Sequence, residues 1–164
     1  MYIVSKNILL LTSLIIYLFP IIYIYVYYNN NNSISSIISN EKAKYIILFF
    51  MLLMGIAIIL YERKRDNIYS LISISILLLS IYGLIYFNEG HTLHYIFSCI
   101  AFLSILLFMS VICYNNTCYI LLILLFIQII LFVLLVKYCN DTIFAYEIFY
   151  LLNFAIFYIY LHFI

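Results

Sequence analysis

Apolar residues run along this chain in six blocks separated by short polar interruptions. The blocks cover about residues 8–28, 45–61, 67–86, 92–113, 119–136 and 142–163. A helix rises 1.5 Å per residue, so about 20 apolar residues cross roughly 30 Å of hydrocarbon. Each block is therefore read as one membrane-spanning helix. The pattern predicts an all-α fold: a polytopic bundle of six transmembrane helices, forming one domain over residues 1–164 with no soluble domain.

The interruptions refine this outline. Lys6 precedes the first block, and Pro20 and bulky tyrosines stand where a signal peptide would carry small residues, so this block is expected to be an uncleaved helix kinked at Pro20. Asn29 to Lys44 is the longest polar segment, rich in Asn and Ser. It is the one connection long enough for a structured or flexible loop and the expected surface for protein partners. It also holds a glycosylation sequon, Asn31-Asn32-Ser33, close to the membrane. The second block carries Gly55 and Ala57, small residues that let helix backbones approach, and ends at Glu62-Arg63-Lys64-Arg65-Asp66. Ser70, Ser73, Ser75 and Ser80 punctuate the third block beside Gly83, each serine expected to bond a backbone carbonyl one turn back. A second sequon begins at Asn115 in the next turn. Gln128 in the fifth block and Asn153 in the sixth are expected to hydrogen-bond between helices, while His162 reaches one interface. Asp141 or Thr142 is placed to cap the last helix.

Orientation rests on Arg63, Lys64 and Arg65. The positive-inside rule puts that turn in the cytoplasm, and six spans then put both termini there too. Tyr28, Tyr45, Tyr61, Tyr86, Tyr114, Tyr119 and Tyr138 lie near block ends, where an interfacial aromatic belt is expected.

Composition agrees with the blocks: 70% of residues are hydrophobic and 8% charged. A soluble domain is about a quarter charged, and a chain of this size could not bury so much apolar surface. A net charge of +1 provides no field for nucleic acid. Cys99, Cys113, Cys118 and Cys139 form no C-x-x-C pair and read as buried small apolar residues. The excess of Asn, Ile and Tyr is what AT-rich coding produces.

The chemistry concentrates in Phe87-Asn88-Glu89-Gly90-His91-Thr92-Leu93-His94, which holds two of the three histidines. Ionisable groups at a membrane edge are costly and point to function. His94 lies about three residues into the fourth span and Glu147 five or six into the sixth, both counted from the same side, at depths of roughly 5 Å and 8–9 Å. Both are expected in one layer, with Glu89, His91 and Asp141 in the short loops above. A lone carboxylate at Glu147 costs a few kcal/mol there, a cost that pairing with His94 or protonation reduces. The cluster reads as a structural pair, a site for a lipid headgroup or small ligand, a metal site using His91 and His94, or a proton-coupling element in a transporter or channel. The spacing of His91 and His94 can share a helix face, but no H-E-x-x-H accompanies it, and neither a catalytic residue, a metal nor a cofactor is assigned. The chain has no G-x-S-x-G, phosphate-binding glycine loop or dinucleotide fingerprint.

The order of features resembles the DRAM/Sfk family of six-helix membrane proteins, which includes the damage-regulated autophagy modulators and has distant relatives among GPI-anchor remodelling factors. The residues concerned are Ile38-Ser39-Asn40-Glu41 before the second span, the basic turn Tyr61-Glu62-Arg63-Lys64-Arg65, Phe87-Asn88-Glu89 with His94 opening the fourth span, and Glu147 in Ala145-Tyr146-Glu147-Ile148-Phe149. The chain departs from the family in lacking a proline in the first loop and any Trp in the sixth span. The resemblance implies a non-enzymatic regulator or scaffold that interacts with membrane lipid, acting in autophagy, lysosomal function or lipid homeostasis at an endomembrane, lysosomal or plasma membrane. An intramembrane metal-dependent lipid-modifying enzyme and a small proton-coupled transporter or channel are the alternatives.

Overall fold

The structure, a computed structural model, describes residues 6–28, 33–39, 41–137 and 143–163. It consists of the helices α1 (Lys6–Tyr28), α2 (Ile34–Ser39), α3 (Glu41–Arg65), α4 (Ile68–Tyr86), α5 (Thr92–Asn115), α6 (Tyr119–Lys137) and α7 (Ile143–His162), with no strand among the described residues. All but α2 are long and apolar enough to cross a bilayer, so the six expected spans are present and the chain is an integral membrane protein. Two ends of the bundle are distinguished below. The α2 end carries residues 33–39 and the α4–α5 turn; the basic end carries the α3–α4 and α5–α6 turns.

Local chemistry explains the boundaries. α1 continues through Pro20, which is buried. α3 outruns its apolar block and carries Glu62 to Arg65 within its last turn, where arginine and lysine suit the negative end of the helix dipole. Asp66 then turns the chain in a left-handed conformation (φ 57°), and the Asn67 side chain caps α4 by accepting from the N–H groups of Tyr69 and Ser70. Gly90, with φ of +92°, makes the α4–α5 turn. Within α4 the serines back-bond as expected: Ser73, Ser75 and Ser80 donate to the carbonyls of Tyr69, Leu71 and Ile76 at 2.7–2.9 Å.

α4 and α5 form the closest helix pair. At Gly83 a Cβ would stand 2.5 Å from the Phe97 ring, so the ring occupies the space that a larger residue would need. The fit at Gly55 is looser, with the Tyr82 hydroxyl 3.2 Å from where a Cβ would sit. α1 packs on α3 and α6 on α7. At the centre, Phe108 of α5 meets the rings of Phe154, Phe157 and Tyr158 of α7. α6 buries Leu121, Gln128 and Leu135. Their spacing of seven is a single seam along one side of an otherwise lipid-facing helix.

Tyr45, Tyr86, Tyr114 and Tyr119 are exposed near the helix ends, as a belt requires. Tyr61 is not: it is fully buried, because α3 continues beyond it and turns its ring into the bundle. Tyr138 and the side chain of Tyr28 lie outside the described residues. The cysteines also divide. Cys113 is buried and Cys118 half-buried, but Cys99 is exposed on the outward face of α5, where lipid rather than protein covers an apolar side chain; Cys139 lies outside the described residues.

The Gly83 contact yields a direct test. Gly83→Ala is expected to destabilise the detergent-solubilised protein by about 1–3 kcal/mol, the usual cost of overpacking, seen as a lowered thermal midpoint. Gly55→Ala, facing a flexible side chain, should cost less. Equal midpoints for both variants and the wild type would contradict this packing.

Candidate functional site

The site is built from the start of α5, the start of α7 and the short helix α2. His91 caps α5: its Nδ1 accepts from the N–H of Leu93 at 3.2 Å, and its ring stacks on Phe87 with centroids 5.2 Å apart. One turn on, His94 faces inward and is 2% exposed. Its Nδ1 lies 2.9 Å from the Phe87 carbonyl oxygen. A carbonyl can only accept, so the proton is assigned to Nδ1, and Nε2 of the neutral ring is left as an acceptor. The two histidines thus serve different ends, one capping a helix and one facing the interior.

Glu147 sits in the second turn of α7 and is 1% exposed. Its Oε2 accepts a hydrogen bond from the backbone N–H of Ile34, the first residue of α2. That N–H has no partner within its own helix, so the carboxylate supplies one. Oε1 has no hydrogen-bond partner among the described residues. α2 is also held by burial of Ile34, Ile37 and Ile38.

A cavity of about 520 Å³ opens between these elements. Ser33, Ser35, Glu89, His94, Ser98 and Glu147 form its polar lining; Phe102, Phe132, Leu135 and Ile143 form its apolar lining. Phe102 lies ten residues beyond the start of α5, about 15 Å deeper by helical rise. Tyr95, Cys99 and Val136, which also line the cavity, are exposed residues of α5 and α6, so its open side faces the flank of the bundle where lipid lies. Glu147 is shared with a second, apolar cavity of about 80 Å³ inside the bundle, walled by Tyr17, Ile38 and Leu77 among others. A third, of about 50 Å³, continues toward Tyr158.

The sequence-predicted residues fall as follows. His94, Glu147 and Glu89 line one cavity. His91 is exposed and outside that lining, and Asp141 lies outside the described residues. Glu147 is bonded to a backbone N–H and His94 to a carbonyl, in place of the direct pair that the sequence allowed. Gln128 and Asn153 bond each other across α6 and α7; Gln128 Nε2 also donates to the Tyr150 carbonyl at 3.1 Å and Asn153 Nδ2 to the Leu124 carbonyl at 3.0 Å. Tyr150 donates to the Phe102 carbonyl at 2.7 Å and Tyr17 to the Leu151 carbonyl at 3.1 Å. Arg63 and Lys64 are exposed beyond the apolar blocks. Among the described residues, no three His, Cys, Asp or Glu side chains come together as a metal site.

One polar cluster escaped the sequence reading. Glu62, at the basic end, is fully buried. It accepts from the Ser70 hydroxyl at 2.6 Å and the Tyr158 hydroxyl at 2.5 Å, with Arg65 Nη1 4.0 Å away. Beside it, the Tyr61 hydroxyl lies 2.9 Å from His162 Nδ1. Embedded in a charged run, Glu62 reads as a solvated residue. The signal that distinguishes it is helical phase: it continues the buried positions Met54, Ile58 and Tyr61 of α3. In the turn nearby, backbone N–H groups headed by that of Leu121, with the Tyr160 hydroxyl 3.7 Å away, hold the Cys118 thiol below its ordinary range.

The Glu62 cluster joins α3, α4 and α7, and removing the acceptor takes away the partner of the buried Tyr158 hydroxyl and one of the two acceptors of Ser70. Glu62→Ala is expected to cost about 1–3 kcal/mol, with Glu62→Gln milder. In a double-mutant cycle with Tyr158→Phe, the two losses should be less than additive by at least about 0.5 kcal/mol. Strict additivity of the thermal shifts would dissolve the cluster.

Comparison with family models, with curated proteins and with solved structures returns no match, and the geometry above is what the functional reading rests on.

Proposed function

We propose that this integral membrane protein is a non-enzymatic regulator or scaffold that seats a membrane lipid, of the kind the DRAM/Sfk resemblance implies. The carrying observation is the cavity bounded by α2, α5, α6 and α7. It sets the polar side chains of Ser33, Ser35, Glu89, His94 and Glu147 beside an apolar wall that includes Phe102 and Phe132, and it opens on the flank of the bundle. A lipid has that distribution: a polar headgroup at the interface and chains running into the hydrocarbon. Ligand sites in bundles commonly lie between helices in clefts of about this size, ~300–1,000 Å³. The side chains that converge on the cavity are hydrogen-bonding groups suited to holding a headgroup.

With Arg63 to Arg65 in the cytoplasm, the cavity belongs to the outer or lumenal leaflet, and α2 forms its roof. Lipid occupancy then bears on the roof, and residues 29–44 are the surface through which protein partners would read it.

Filling the cavity tests the reading. Leu135→Trp places a large ring in the apolar lining. Native mass spectra of protein purified in mild detergent should show bound lipid for the wild type, reduced about tenfold in Leu135→Trp, with no lipid product accumulating for either. Equal lipid retention in both proteins, or product formation by the wild type, overturns the proposal.

A further inference from the structure

We infer that the headgroup taken by this cavity carries a primary ammonium, as in an ethanolamine phospholipid; the inference rests on the lipid-seating function proposed above and specifies its ligand. The polar end of the cavity is a set of acceptors. His94 is donor-committed at Nδ1 to the Phe87 carbonyl, which leaves Nε2 to accept. Glu147 uses Oε2 for the Ile34 N–H and has Oε1 unpartnered among the described residues, in a side chain 99% removed from solvent. Glu89 adds a second carboxylate at the mouth, and Ser33 and Ser35 add hydroxyls.

Among the described residues, no Lys or Arg lines the cavity. Of the nearby basic residues, Lys137 follows Val136 at the end of α6, whereas Lys44 stands over the Tyr86 ring, 5.8 Å from its centroid, and lines a separate cavity on the α3–α4 side. A buried acceptor set of this kind is completed by a group that brings both positive charge and several N–H donors. A primary ammonium has three such donors. A choline headgroup has the charge but no N–H, so it could leave neither Nε2 of His94 nor Oε1 of Glu147 hydrogen-bonded. A serine headgroup adds a carboxylate of its own, which two glutamates disfavour.

The test is retention from mixed bilayers. The full chain is reconstituted in nanodiscs holding equal amounts of phosphatidylethanolamine and phosphatidylcholine with matched acyl chains, released into mild detergent, and its bound lipid measured by native mass spectrometry. The expected result is at least tenfold preference for the ethanolamine lipid, falling to under threefold in Glu147→Gln and in His94→Ala. Glu89 is exposed in the α4–α5 turn, and Glu89→Gln is expected to lower the preference as well. Equal retention of both lipids, abolished together by Leu135→Trp, overturns the ammonium assignment and leaves lipid seating standing. Retention of neither, or retention indifferent to Leu135→Trp, overturns both. Displacement of the lipid by free ethanolamine at equal concentration overturns the lipid source, since the amine alone would then account for binding. An ethanolamine preference unchanged in all three polar variants overturns the assignment to these residues.

Discussion

The bond from the Ile34 backbone to the Glu147 carboxylate is the contact on which the α2 end of this protein depends. A six-residue helix does not persist by its own hydrogen bonds, because nucleation consumes most of what so few bonds return. α2 persists because three isoleucines are buried and a carboxylate receives its first N–H. The arrangement is reciprocal. Glu147 lies in an apolar layer where a bare charge is costly, and the helix end presents both a donor and a favourable dipole. The polar end of the cavity and its roof are therefore one structure, and His94 completes the wall from the side of α5.

Much of this was legible in the chain. Block length gave the spans, serine spacing gave the back-bonds of α4, and counting depth from the helix starts brought His94 to the level of Glu147. α2 was not legible: Ile34, Ile37 and Ile38 have helical spacing, but they sit in an Asn- and Ser-rich segment whose order comes from tertiary burial. Glu62 was masked by its basic neighbours. Phe102, Phe132 and Leu135 could not be singled out, because in a uniformly apolar helix nothing in the pattern separates a cavity-lining side from a lipid-facing one. Tyr61 failed for the same reason in reverse, an aromatic residue near a block end being taken for a belt residue when the helix ran on past it.

The polar contacts also explain how a bundle of nearly uniform greasy helices acquires one arrangement. Between apolar helices in lipid there is little hydrophobic preference for one face over another. Specific pairing comes from small residues such as Gly83 and from side chains that must find partners. Gln128 and Asn153 set the register of α6 against α7, Tyr150 that of α7 against α5, and Glu62 that of α3 against α4 and α7.

α7 is the common member of these contacts: it bonds α1 through Tyr17, α2 through Ile34, α3 through Glu62, α5 through Phe102 and α6 through Gln128. It is also the last of these helices to leave the ribosome. Until it is inserted, the preceding spans lie in the bilayer with Gln128 lacking its cross-helix partner and Glu62 lacking its tyrosine. Assembly is in this sense withheld until α7 is made, and a chain stopped before α7 displays its unmet polar groups to the membrane and to whatever machinery surveys it for unfinished proteins.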